Sequence, residues 1–197
     1  MPAEPAQQDA FGTPEPTDRL FFALFPDEAA AARIAALGDR LRGAHGLRGR
    51  VLAAERLHVT LHHLGDYAGV PASIVSAAGD AARAIEAAPF DAVFDHAGSF
   101  AGPARSRPLV LRGEGGVAAI AGLQARLGEA MRRHGLARHV DAGFVPHLTL
   151  LYDERTIDMQ PIEPAGWRVR DFALVHSLLG RSTYRVLGRW PLQRTPG

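Results

Sequence analysis

The chain has 197 residues, a length that suits one domain or two small, closely packed lobes. Hydrophobic residues make up 47% of it, enough to bury a real core, which argues against global disorder. Lysine and arginine (22) almost balance aspartate and glutamate (21), so a protein that coats nucleic acid is not expected, although a local basic site for one phosphate is compatible. With no cysteine, a disulfide framework, a thiolate zinc site and a cysteine nucleophile are all excluded.

Residues 1–18 are rich in proline and in small or polar side chains, with neither a basic leader nor an apolar run, and read as a flexible N-terminal tail. The ordered domain is expected over 19–197. No apolar run approaches the roughly 20 residues that span a bilayer. A soluble, cytoplasmic, monomeric protein without a membrane partner is therefore expected.

The apolar run Leu20 to Phe25, stopped by Pro26, reads as a buried first strand. Pro26-Asp27-Glu28 then opens a helix, with acidic residues at its positive end and Ile34, Leu37 and Leu41 at helical spacing. Leu57 to Leu64 is the second strand. Pro71 opens a second helix carrying Ile74, Ala78, Ala81 and Ile85 on one face. Phe90, Ala92 and Phe94 alternate as in a strand, and Leu109 to Leu111 is another strand candidate. Val117 to His134 is the third helix, with Ile120, Leu123, Leu127 and Met131 on one side. Phe144 to Tyr152 reads as a strand interrupted at Pro146. Trp167 to Leu179 and Tyr184 to Leu192 close the chain as two strands, joined by a hairpin turn at Gly180-Arg181-Ser182-Thr183.

This succession favours an α+β fold with largely antiparallel sheets over a doubly wound parallel one. Each half of the chain also contains a helix followed by a His-x-Thr strand. That faint internal repeat suggests two similar lobes facing each other across a cleft.

The two segments are His58-Val59-Thr60-Leu61 and His147-Leu148-Thr149-Leu150, 89 residues apart. Side chains alternate along a strand, so imidazole and hydroxyl share one face while the apolar pair anchors the other. Phosphodiester hydrolysis needs one group to take a proton from water and another to give one to the leaving oxygen. Histidine, with an ordinary pKa of about 6.5, suits both tasks. Thr60 and Thr149 can hold the non-bridging phosphate oxygens. The residues do not say which histidine is the acid.

Other candidates are weaker. On continuous alternation His62 shares the face of His58 and is a candidate substrate contact, while His63 points away. A His58/His62/His63 metal site is disfavoured, because adjacent strand residues diverge and no acidic ligand sits at fitting spacing. Arg105 and Arg107 are candidate contacts for a phosphate chain, with a solvated loop as the alternative. Phe22 and Phe25 are candidates to stack on a base, against the ordinary reading of first-strand phenylalanines as core. For His176, and for Arg181, Ser182 and Tyr184 at the turn, the structural reading leads.

The chain resembles the two-histidine (2H) phosphoesterases, and within them the bacterial RNA 2′,3′-cyclic phosphodiesterases, also called 2′-5′ RNA ligase-like proteins. The resemblance lies in Arg19 to Leu24, in Arg56-Leu57-His58-Val59-Thr60-Leu61 with Leu64-Gly65, in Phe144 with Pro146 to Leu150, and in the closing strands. The second motif departs from many relatives in running on into Leu151-Tyr152-Asp153. The resemblance implies two pseudo-symmetric lobes, each a mostly antiparallel sheet with outer helices, around a central cleft. It also implies His58 as proton donor and His147 as proton acceptor in opening a 2′,3′-cyclic phosphate to a 2′-phosphate, with no metal or other cofactor. The partners implied are RNA ends carrying that cyclic phosphate, or small cyclic nucleotides. A 2′-5′ RNA ligase and a catalytically silent RNA-binding module are the alternative readings.

Overall fold

The structure, a computed structural model, describes residues 15–103, 105–181 and 183–193. Residues 1–14 of the expected tail and Ser182 of the hairpin turn lie outside the described residues. Among the described residues, eight strands and three helices follow in the order β1 (Asp18–Leu24), α1 (Glu28–Ala44), β2 (Val59–Tyr67), α2 (Ala72–Arg83), β3 (Phe90–Ser99), β4 (Arg107–Arg112), α3 (Ala118–Arg133), β5 (Leu148–Asp153), β6 (Gln160–Val169), β7 (Asp171–Leu178) and β8 (Thr183–Pro191). Short 3₁₀ turns at Ala54–Arg56 and Ala137–His139 precede the two motif strands. No helix among the described residues is long and apolar enough to cross a membrane.

The strands form two four-stranded antiparallel sheets, ordered β2-β1-β7-β8 and β5-β4-β3-β6. The orders are equivalent: β1-α1-β2 in the first corresponds to β4-α3-β5 in the second. Each motif strand is therefore an edge strand, and β2 and β5 touch one another across the two sheets. The sequence reading merges β6 and β7, which a break at Arg170 separates into strands of different sheets.

Local chemistry sets the ends of these elements. The Asp27 carboxylate caps α1 by accepting the Ala30 N–H at 2.8 Å, and the buried face of the helix presents Ala30, Ile34 and Leu37. Although α1 links two strands of the first sheet, it packs on β5 and β6 of the second; α3, linking strands of the second, contacts β2 of the first. The two lobes thus share one continuous core, running from Phe22 and Leu24 to Phe94, Leu111 and Leu150.

The free edge of β5 is covered by the segment after α1. Leu52 N–H bonds Leu150 O at 2.8 Å, and the buried Asp153 carboxylate accepts the backbone N–H groups of Arg48, Gly49 and Arg155. Gly49 is required there, since a Cβ would lie 2.0 Å from the Tyr152 carbonyl oxygen. These N–H bonds hold the Asp153 carboxyl below the ordinary carboxylate range, those from Arg155 and Gly49 contributing most.

A β-bulge changes which side chains reach the cleft. Ala23 pairs with Thr60 but Phe22 pairs with His62, so Leu61 is an extra residue in β2 and alternation reverses after it. His62, expected beside His58, instead turns into the core at 1% exposure, and His63 emerges on the cleft side. The same device recurs in β5, where Val110 pairs with Thr149 and Leu109 with Leu151, leaving Leu150 extra. His62 therefore corresponds to buried Leu151, and His63 to exposed Tyr152.

His62 is held neutral by its surroundings. Its Nε2 donates to Gln124 O at 2.9 Å, which leaves Nδ1 to accept from the Gln124 amide at 3.4 Å. Burial pushes its pKa below the ordinary histidine value, with Arg132 adding to the shift, while the bond to Gln124 O and Asp141 oppose it. The unfolded chain takes up a proton near pH 6.5 that the folded chain resists, so this contribution to stability is complete above about pH 6.5 and is lost as pH falls through the depressed value. Denaturant unfolding at pH 7 and pH 5 is expected to show stability falling on acidification, and the fall to be smaller in His62→Leu, the residue that the equivalent position of β5 carries. An identical pH dependence in the variant would contradict this account.

Candidate active site

His58 and His147 each stand one residue before their strands begin, where the chain leaves a loop, and both line one cavity of about 320 Å³ with Thr60 and Thr149. The two imidazoles are held alike. His58 Nδ1 donates to the carbonyl oxygen of Arg56 at 2.7 Å, and His147 Nδ1 donates to that of Val145, also at 2.7 Å. A carbonyl can only accept, so Nδ1 carries the proton in both rings and Nε2 is the nitrogen left for the cavity. His58 Nε2 lies 3.1 Å from Thr60 Oγ1.

Strand alternation brings each histidine together with its threonine, as the tetrapeptides imply. Around His58 the site is aromatic: Phe21 lies 5.1 Å away between ring centroids, Tyr184 5.5 Å away edge-on and Phe25 5.9 Å away. Phe100 stands 5.0 Å from the His147 ring. Burial pushes the pKa of His58 below its ordinary value. The hydrogen bond to Arg56 O opposes this, and the positive charge of Arg56 and the neighbouring His147 add to it.

Phe22 is a correction to the sequence reading. It is fully buried on the opposite face of β1, against Phe172 and Trp190, and cannot touch a substrate. Its neighbour Phe21 faces the cleft instead, paired with His63. His176 also lies on the core side, where its Nε2 meets the buried Asp18 carboxylate. Arg107 donates to Glu154 O at 2.9 Å, Arg105 is exposed in the loop before β4, and neither lines the cavity that holds the histidines. His58, His62 and His63 do not converge, because the bulge sends His62 into the core; among the described residues no group of three or more His, Asp or Glu is arranged to hold a metal ion.

Several cavity residues escape the sequence reading. Arg56 bears the carbonyl that holds His58, and its guanidinium lies over the Tyr184 ring, 5.2 Å from the centroid. At the mouth, Arg19 makes a two-pronged ion pair with Asp66, both bonds 2.7 Å, and Asp66 accepts from His63 Nε2 at 3.0 Å. Chiefly through Arg19, the Asp66 carboxyl is lowered to about 2. Tyr152, 49% exposed, completes the wall on the β5 side. The spacing of the repeat equates His63 with Tyr152, but only the bulges put both in the cleft.

A family model described as the 2′-5′ RNA ligase superfamily matches residues 25–181. Among solved structures, the apo form of E. coli LigT matches with a TM-score of 0.71 at 29% identity, covering 92% of this chain and 100% of that one. E. coli LigT complexed with ATP matches with a TM-score of 0.68 at 29% identity, covering 91% and 100%. The TT0787 protein of Thermus thermophilus matches with a TM-score of 0.71 at 25% identity, covering 89% and 98%. No curated protein sequence matches. Two antiparallel sheets with a His-x-Thr segment on the facing edge of each, and a family match over most of the chain, lead to one conclusion: the chain belongs to the 2′-5′ RNA ligase superfamily of 2H phosphoesterases.

Proposed function

We propose that the protein hydrolyses 2′,3′-cyclic phosphodiesters, at RNA ends or in small cyclic nucleotides, to 2′-phosphates, without a metal. The observation that carries this reading is the matched pair of Nδ1–H···O=C bonds, which presents two Nε2 atoms and two threonine hydroxyls to one cavity. The nucleotides and phosphate held by E. coli LigT structures, among them ATP, NADP+ and 3′-AMP, support a phosphate-bearing nucleotide as ligand.

In the proposed step, water attacks phosphorus in line with the 3′ oxygen. The P–O bond to water forms as the P–O3′ bond breaks, His147 Nε2 takes the proton from water, and protonated His58 Nε2 gives one to O3′. The 2′-phosphate remains, and proton exchange with solvent resets both rings. Thr60 and Thr149 hold the non-bridging oxygens as charge builds there. The lowered pKa of His58 makes its protonated form a stronger acid but a smaller fraction of the protein at neutral pH, so the donor assignment follows the family resemblance.

Each histidine is expected to contribute about 10² to 10⁴ in rate, so His58→Ala and His147→Ala should lose nearly all turnover of a 2′,3′-cyclic nucleotide while unfolding like the parent. Turnover should persist in EDTA, with chromatography resolving the product as a 2′-phosphate. Loss of activity in EDTA that zinc or manganese restores would overturn the reading, as would joining of RNA ends that outpaces hydrolysis, or tight RNA binding with no product released.

The two roles are separable by leaving group. A phosphodiester with a p-nitrophenolate leaving group needs no proton donor, so His58→Ala should recover much of the parent rate on it and His147→Ala should not. Recovery in His147→Ala instead would reverse the assignment.

A further inference from the structure

Beyond the wall formed by Arg56 and Tyr184 lies a second cavity of about 540 Å³, within the roughly 300–1,000 Å³ typical of small-molecule sites. It shares those two residues with the catalytic cavity, so the two spaces adjoin across them. Both sit on one face of the first sheet. Arg19, Phe21 and Ala23 of β1 pair with Ser177, Val175 and Ala173 of β7, and those pair in turn with Tyr184, Val186 and Arg189 of β8. Phe21, Ala23, Ala173 and Val175 form a small apolar cluster on this face, with Phe25 and Tyr184 packed against it, separate from the main core.

The chemistry of the second cavity is selective. It offers two aromatic rings, each with a guanidinium above it: Arg56 over Tyr184 at 5.2 Å and Arg189 over Phe25 at 6.0 Å. Val186, 50% exposed, extends the apolar floor. Glu28 and Glu55 stand on the lining as hydrogen-bond acceptors. Among the described residues the Arg56 Nε is buried without a hydrogen-bond partner. Flat faces that stack, cations that cover them and acceptors around them match a nucleobase better than a lipid tail or an acidic peptide.

We infer that this cavity is a subsite for the base of the terminal nucleoside of the cyclic-phosphate substrate, an inference that rests on the proposed hydrolysis and its assignment of His58. In a 2′,3′-cyclic phosphate both ester oxygens belong to one ribose. The nucleoside must therefore extend on the side of the residue that protonates the leaving oxygen, away from the attacking water. That side is the His58 side, and the space next to its aromatic wall is the second cavity.

The test compares a 2′,3′-cyclic nucleotide with glycerol 1,2-cyclic phosphate, which has the same reacting ring and no base. Val186→Asp and Arg189→Ala are expected to raise KM for the nucleotide about tenfold relative to KM for the base-free diester, the scale of one lost apolar or guanidinium contact to the base. Calorimetry gives an arm independent of turnover: the parent should bind a nucleoside 2′-phosphate at least tenfold tighter than ribose 2-phosphate, and both variants should narrow that gap. Equal KM changes for the two substrates, or no preference for the base in the parent, would overturn the subsite. An inactive parent that keeps the binding preference would instead sink the hydrolysis reading and leave the base subsite standing.

Discussion

Everything the site can do depends on one small interaction made twice, the hydrogen bond from a histidine Nδ1 to the backbone carbonyl two residues earlier. It fixes the tautomer, turns Nε2 toward the cavity and restrains the ring without using a second side chain. The Arg56 carbonyl is in turn positioned by the 3₁₀ turn at Ala54–Arg56, which delivers the chain to β2. A short local bond is well suited to this task, because its geometry follows from the loop-to-strand transition rather than from a distant partner.

The rest of the fold brings two such units together. Placing β2 and β5 at the facing edges of separate sheets makes a cleft from strands that would otherwise expose unpaired backbone. The segment 46–52 covers β5, with Gly49 and Asp153 fixing how closely it lies. Helices α1 and α3 reach from each lobe to the strands of the other, so the two histidines are held by one shared core rather than by two independent lobes.

The two histidines and two threonines are legible in the sequence because each pair lies within three residues, where strand alternation holds. Alternation fails one residue later. Leu61 and Leu150 are bulges, and a bulge leaves no mark in composition, since each is one apolar residue among several. For that reason the sequence reading puts His62 in the cleft and His63 outside it, the reverse of what the sheet does. Phe22 and Phe21 are confused for a different reason. Within Leu-Phe-Phe-Ala-Leu-Phe both faces of β1 are apolar, one covered by the core and the other by the small cluster beneath His58, so hydrophobicity alone cannot set the phase. Tyr184 and Arg56 join the site through contacts between strands and turns far apart in the chain, which spacing does not encode.

The direct test of the central claim is the protonation state of the imidazole nitrogens, read by ¹⁵N-detected NMR of the protein above the histidine titration range. For neutral His58 and His147 the account predicts protonated Nδ1 and bare Nε2 in both rings. Finding the proton on Nε2 of either ring would mean that the backbone carbonyl does not hold it, and the two-histidine site as described would not stand.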